Sequence, residues 1–460
     1  MKDLKGHDMT NGSPMKLMVH FSIPLLIGNI FQQLYSMVDT MIVGRFMNAK
    51  ALAAVGTTGP LNFLVIGFIT GITGGFAVVV AQRYGARDEK GVRKSVATST
   101  ILCVAITIII TLLSVFTTMP LLKLINTPDD IIKDAYNYIV VIYWGIAATV
   151  LYNMLACILR ALGDSKTPLY FLIVSSILNI ALDLLFIIVF HMGVAGAAWA
   201  TVISQAVSGI LCFFYTKRKY SILHLTREDF KMDWKFAWKH LRIGLPMAFQ
   251  FSVTAIGIVV LQGALNLFGS VKIAAYTAAS KVEQLVMQPA ITFGVTMANY
   301  AGQNLGANRI DRIKEGVEKC TNLSLIFCAL AIFVMNVFGE PLCNLFLSER
   351  DPEIINAAML YLRTCSYFFA FVSMIFVYRN VLQGIGRSFM PLLAGVFELV
   401  VRSVVAYTLP NLIGYLGICF AGPLAWVGAA VPLGITYFIV MKKMMKEYVR
   451  TSGTKLDKST

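Results

Sequence analysis

The long apolar runs, and how closely they follow one another, constrain this chain more than any other feature. Residues 63–80, 95–118 and 171–190 carry almost no charge and are each long enough to cross a bilayer, which takes roughly 20 helical residues. Similar runs fill the 460 residues. The longest polar stretch, about 217–239, is too short to build a soluble core of its own. Only 14% of residues are charged, well short of the roughly 25% usual in a soluble domain. Most of the surface therefore faces something other than water. In hydrocarbon each backbone polar group must be satisfied internally, which a helix does by itself, so the expected class is an all-α polytopic membrane protein.

Hydropathy places twelve spans, near 17–42, 52–80, 95–119, 132–158, 168–190, 194–216, 241–268, 273–299, 315–338, 355–378, 390–413 and 416–440. Of the 39 Lys and Arg, 30 fall in the termini and the loops after even-numbered spans. Six fall in the loops after odd-numbered spans and three (Lys281, Arg363, Arg402) within spans. By the positive-inside rule both termini are cytoplasmic, and the protein is multi-pass in the cytoplasmic membrane. The net charge of +15 is then topological, and no nucleic-acid partner is expected. Residues 1–16 are polar and lack an apolar signal core, so the first span is expected to do the targeting. The eight cysteines are scattered without a CxxC or Cys/His cluster and read as small buried hydrophobes.

Sliding the chain by about 221 residues brings its halves into register. Pro24 falls near Pro246, Ala53-Ala54 on Ala274-Ala275, Gln82-Arg-Tyr-Gly85-Ala86 on Gln303-Asn-Leu-Gly306-Ala307, and Pro120 on Pro341. With a shift of two, Gly163 and Pro168 meet Gly386 and Pro391. Six spans per half give both halves the same orientation, with a pseudo-two-fold along the membrane normal. The expected organisation is an N-lobe (1–216), a cytoplasmic linker (217–239), a C-lobe (240–447) and a polar cytoplasmic tail (448–460), with the two six-helix repeats around a central cleft. Phe230, Trp234, Ala237-Trp238 and Leu241 suggest a short interfacial helix within the linker.

Ionisable groups inside spans are costly and tend to be functional. Gln32, Tyr35 and Asp39 share one face of span 1, and Asn179 and Asp183 share one face of span 5. Thr201 in span 6 adds a hydroxyl. Two carboxylates, an amide oxygen and a hydroxyl suit a hard cation such as Na⁺, and two nearby carboxylates can equally share a proton. The same groups would also serve to bond neighbouring helices. Glu398 and Arg402, four apart on span 11, fit an internal ion pair and a substrate contact equally. Glu283 has the same two readings, as a structural acid or a cleft-lining one. Met287 belongs to a set of methionines and aromatics suited to an adaptable lining for amphipathic ligands. No GxxxxGK[ST], HExxH or GxSxG motif is present. No enzymatic activity and no cofactor are expected, and transport would draw on an ion gradient or the substrate's own.

The run Pro24-Leu-Leu-Ile-Gly28-Asn-Ile-Phe-Gln32-Gln-Leu-Tyr35-Ser-Met-Val-Asp39-Thr-Met-Ile-Val-Gly44 resembles span 1 of the multidrug and toxic compound extrusion (MATE) family. Ala81-Gln-Arg-Tyr-Gly-Ala-Arg-Asp88, Arg160-Ala-Leu-Gly-Asp-Ser-Lys-Thr-Pro168, Asn179-Ile-Ala-Leu-Asp183 and Gly193-Val-Ala-Gly-Ala-Ala-Trp-Ala-Thr201 are similar to that family's later motifs. The resemblance covers essentially the whole chain. It implies a twelve-helix antiporter that exports amphipathic, often cationic small molecules in exchange for Na⁺ or H⁺. It also implies a cation site at Tyr35, Asp39, Asn179, Asp183 and Thr201, of which Asp39, Asn179, Asp183 and Thr201 would ligate Na⁺ if that is the coupling ion. Gln32, Glu283, Met287, Glu398 and Arg402 are candidates for the substrate cleft. One departure is clear: the NorM-type branch places an acid in span 7 after the proline, whereas Pro246-Met-Ala-Phe-Gln-Phe-Ser-Val-Thr254 has none. The expected partners are substrate and membrane lipids, with the chain a monomer. The rival reading is a lipid-linked precursor flippase of the same superfamily; about fourteen spans and a strongly cationic cleft would mark it.

Overall fold

The computed structural model describes residues 8–47, 49–347 and 351–456. Lys2, Lys5, Arg350 and Lys458, which enter the charge count, lie outside the described residues, as does the end of the polar tail. The helices are α1 (Pro14–Phe46), α2 (Ala49–Gly85), α3 (Glu89–Leu124), α4 (Ile132–Trp144), α5 (Ile146–Ala161), α6 (Lys166–Leu184), α7 (Gly193–Lys219), α8 (Trp234–Leu265) and α9 (Gly269–Val286). They continue as α10 (Gln288–Gly306), α11 (Ile310–Val337), α12 (Gly339–Asn344), α13 (Pro352–Ser366), α14 (Phe369–Gly384), α15 (Phe389–Thr408), α16 (Pro410–Ile413) and α17 (Tyr415–Leu456).

Nine stretches among the described residues are apolar and long enough to cross a membrane. There are eleven if the bent pairs α4–α5 (49°) and α13–α14 (51°) each count as one pass. One of the nine, Trp234–Val286, is broken at Gly269, whose φ of 79° and ψ of 172° no helix accommodates. Counting α8 and α9–α10 as separate passes gives twelve.

α3 shows why such helices belong in lipid. Its buried face carries Ser95, Thr98, Ser99, Ser114 and Thr118, while Val104, Ile108, Leu112 and Phe116 are exposed. A soluble helix has the opposite arrangement. Without a hydrophobic drive between helices, small residues that allow close approach take the interface.

Matching positions of the two halves repeat the same backbone turns. Arg87 (φ 55°) and Asn308 (φ 56°) are both left-handed, as are Gly163 (φ 88°) and Gly386 (φ 81°). After α5, Asp164 N–H donates to Leu159 O at 2.9 Å; after α14, Arg387 N–H donates to Leu382 O at 2.8 Å. These bonds satisfy carbonyls that a helix end would otherwise leave open.

The chain forms two compact units. One comprises Asp8 and Ile23–Ser252; the other comprises Met9–Ser22 and the chain from Val253 onward. The division differs from the 216/240 boundary read from the sequence. α1 passes from one unit to the other between Ser22 and Ile23, and α8 does so between Ser252 and Val253. For α8 the reason is glycine packing: a Cβ on Gly71 of α2 would lie 2.6 Å from Ala248 Cα, and Gly75 is equally tight against Gly244. The missing side chains of Gly71, Gly75 and Gly244 let these two backbones meet.

No separate interfacial helix forms in the linker. Trp234 and Trp238, 74% and 63% exposed, belong to the first turns of α8. Asp233 accepts from Lys94 Nζ at 3.1 Å. Asp229 accepts from the Thr226 backbone N–H and hydroxyl, both at 2.8 Å, and the backbone bond holds its carboxyl below the usual carboxylate range. In the second unit, the segment before α1 docks on α10 and α11. Arg312 donates to Gly12 O at 2.9 Å and to Asn304 Oδ1 at 3.1 Å, and Met9 N–H donates to Gln303 Oε1 at 2.9 Å.

Candidate functional site

Within the first unit, α1, α4, α6 and α7 bring the predicted residues to one place. The side chains of Asp39 and Asp183 lie within interaction range of each other, and so do those of Tyr35 and Thr201. Asp183 is 0% exposed and Asn179 is also buried, while Tyr35, Asp39 and Thr201 are partly buried. Spacing explains the arrangement: residues 35 and 39 stack one turn apart on α1, and residues 179 and 183 do so on α6. α6 then widens into a π-helical turn at Leu185–Val189, shortly after Asp183, a feature frequent at functional sites.

The Asn179 amide turns so that its nitrogen donates to Asp183 Oδ2 at 2.9 Å and its oxygen accepts from the Thr201 backbone N–H at 3.1 Å. In the opposite orientation the amide oxygen would face the carboxylate, acceptor to acceptor. Asn179 thus orients Asp183, and its oxygen is already engaged. Thr201 Oγ1 also bonds Ala197 O at 3.1 Å.

Two carboxyl oxygens are left over. Asp39 Oδ1 and Asp183 Oδ1 are buried and accept no hydrogen bond from any described residue. Two carboxylates in contact repel unless a proton or a cation lies between them. The donor set of two carboxylates, a threonine hydroxyl and a tyrosine therefore fits a hard monovalent cation as well as a proton. Tyr138 on α4 interacts electrostatically with Asp39, Tyr35 and Asp183. Sequence reasoning missed it, because it sits among other aromatics in an apolar run with no motif of its own.

The candidates for substrate contact separate. Gln32 is exposed on α1. Met287 sits at the break between α9 and α10, partly buried. In the second unit, Tyr361 donates to Glu283 Oε2 at 2.6 Å. Glu398 is held by two arginines, Arg402 at 2.7 Å and Arg379 at 3.3 Å. Arg379 corrects the sequence reading, which left it in a loop. It lies inside α14 with a side chain 10% exposed, which brings the count of intramembrane charges to four acids and four bases. Arg402 also lies within electrostatic reach of Glu283. The two acids and two arginines therefore balance, and the Glu398–Arg402 pair is one edge of a larger cluster. Lys281 and Arg363 are exposed.

A family model described as MatE matches the chain twice, over residues 24–185 and 243–408. The probable multidrug resistance protein YpnP of Bacillus subtilis (strain 168) is 30% identical over 384 residues, 83% of this chain and 85% of that protein. The probable multidrug resistance protein NorM of Thermotoga maritima is 26% identical over 90% of this chain and 88% of its own length. A solved multidrug resistance MATE family transporter of the MOP superfamily, in an outward-facing conformation, superposes with a TM-score of 0.90 at 24% identity. The match covers 96% of this chain and 98% of that one.

Proposed function

Because this chain belongs to the MatE family of multidrug and toxic compound extrusion transporters, we propose that it is a secondary active exporter of amphipathic, often cationic compounds. Export is exchanged for Na⁺ or H⁺ across the cytoplasmic membrane by alternating access. The observation that carries this reading is the pair Asp39–Asp183, each with one buried oxygen that accepts no hydrogen bond from a described residue.

A coupling ion arriving at the pair, as a transported species, removes the repulsion between its carboxylates. Asp39 and Asp183 would bind it, Thr201 and Tyr35 would complete the polar shell, and Asn179 would hold Asp183 in place. Ion binding then pulls on α1 through Asp39. That helix contains Pro24, which removes one backbone hydrogen bond, just after the chain passes between its two compact units. A helix bends most easily at such a position, so occupancy at Asp39 can change the course of α1 and with it the affinity for substrate.

The test is efflux of a fluorescent organic cation from proteoliposomes under an imposed Na⁺ or H⁺ gradient, comparing the native protein with Asp39→Asn. Efflux driven by one ion and lost in the variant supports the proposal. Full coupled export by a folded Asp39→Asn protein would overturn the site. If neither gradient moves any of several organic cations, the lipid-linked flippase becomes the reading to pursue.

A further inference from the structure

At the end of the second unit where α11 begins and α17 finishes, a cavity of about 740 Å³ collects four cationic side chains: Lys314, Lys442, Lys446 and Arg450. Among the described residues, no acid lines it. Lys442, Lys446 and Arg450 are spaced four apart, so they stack on one face of α17, with Lys314 facing them from α11. Like charges four residues apart on a helix, as at Lys442 and Lys446, repel one another. The positive-inside rule accounts for cations on this side of the protein but not for their convergence on a single cavity.

The rest of the lining is apolar. Phe438, Met441 and Met445 form its wall, and Phe438 is 62% exposed at the rim. A free inorganic anion would answer the lysines and leave this wall unused; a neutral amphiphile would use the wall and offer nothing to Lys314, Lys442 and Lys446. A phosphate joined to an acyl chain satisfies both halves, and basic recesses between transmembrane helices suit such headgroups.

We propose that this cavity binds an anionic phospholipid. Its phosphate sits among Lys314, Lys442 and Lys446, and its acyl chain runs along Phe438, Met441 and Met445. The site is separate from Asp39 and Asp183, which lie in the other compact unit.

The test is native mass spectrometry of the full chain in nonionic detergent doped with phosphatidylglycerol or phosphatidylcholine. The variant Lys442→Gln/Lys446→Gln is compared with Lys235→Gln/Lys443→Gln, which removes the same charge from exposed positions outside the lining. Retention of phosphatidylglycerol should fall roughly thirtyfold in the first variant and hold in the second, given the usual contribution of each basic side chain at an anionic lipid surface. Equal loss in both variants, or equal retention of phosphatidylcholine by the native protein, would overturn the proposal. Displacement of the lipid by millimolar inorganic phosphate would reassign the cavity to a free anion.

Discussion

The phenol of Tyr361 on α13 donates to the carboxyl of Glu283 on α9 at 2.6 Å, tying two helices of the second unit through groups that lipid cannot solvate. Removing this donor leaves a buried acid without its partner, which is costlier than losing an average hydrogen bond. Tyr361→Phe is expected to destabilise the protein by about 2 kcal/mol, read as a lower midpoint of thermal unfolding in micelles. Adding Glu283→Gln should cost less than the sum of the single changes, because the acid that needed the donor is gone. Strict additivity would show that the bond contributes nothing.

Glu398 should depend on both of its arginines. Arg379→Gln leaves the cluster of Glu283, Glu398 and Arg402 with an excess negative charge in a buried setting. Breaking such a pair typically costs about 3 kcal/mol or more. Arg363→Gln, at an exposed position of α13, should change stability by no more than about 0.5 kcal/mol. Equal thermal midpoints for the two variants would refute the structural role given to Arg379.

The contact of α2 with α8 makes opposite predictions for two glycines of the same helix. Gly71→Ala introduces a Cβ 2.6 Å from Ala248 Cα, and overpacking of this kind costs about 1–3 kcal/mol. Gly56→Ala meets nothing within 4 Å and should be neutral or gain up to about 1 kcal/mol through helix propensity. Limited proteolysis in the linker provides a second readout: Gly71→Ala should speed cleavage near residues 224–233.

The paired turns should respond alike. Gly163→Ala and Gly386→Ala each place a Cβ at a positive φ, a strain of about 1–2 kcal/mol. Losses in thermal stability that agree within error are expected. A large loss at one site alone would show that the two turns are not equivalent parts of a repeat.

Asn179 is expected to act through Asp183. Asn179→Ala removes the donor to Asp183 Oδ2 and should weaken the apparent affinity for the coupling ion by roughly tenfold, as losing an orienting partner does at ion sites. The maximal rate at saturating ion should stay close to native. A fall in maximal rate with unchanged affinity would argue against an orienting role.

The twelve-pass architecture was legible in the residues themselves. Most helix ends fall within about seven residues of the spans read from hydropathy, because a bilayer sets one length and one composition for every crossing; α17 runs on to Leu456, well past its span. The repeat was legible for a related reason: Gly163 and Gly386 occupy a backbone conformation that few other residues tolerate, so turn chemistry survives in the sequence as punctuation. The stacking of Tyr35 on Asp39 and of Asn179 on Asp183 followed from helical periodicity alone.

Tertiary structure decided what periodicity cannot express. Arg379 looked like a loop residue until α14 carried it beside Glu398; Tyr138 had no signal until α4 brought it to Asp39 and Asp183. The Asn179 amide found its orientation only through Asp183 and the Thr201 backbone. α8 passes between the two units at residue 252, because Gly244 and Ala248 pack on Gly71 and Gly75 across 169 or more residues of sequence. The bilayer and the helix act on each residue through its near neighbours, so their demands are written locally. Pairings between helices depend on which faces meet, and a single sequence records no partner for a face until the chain has folded.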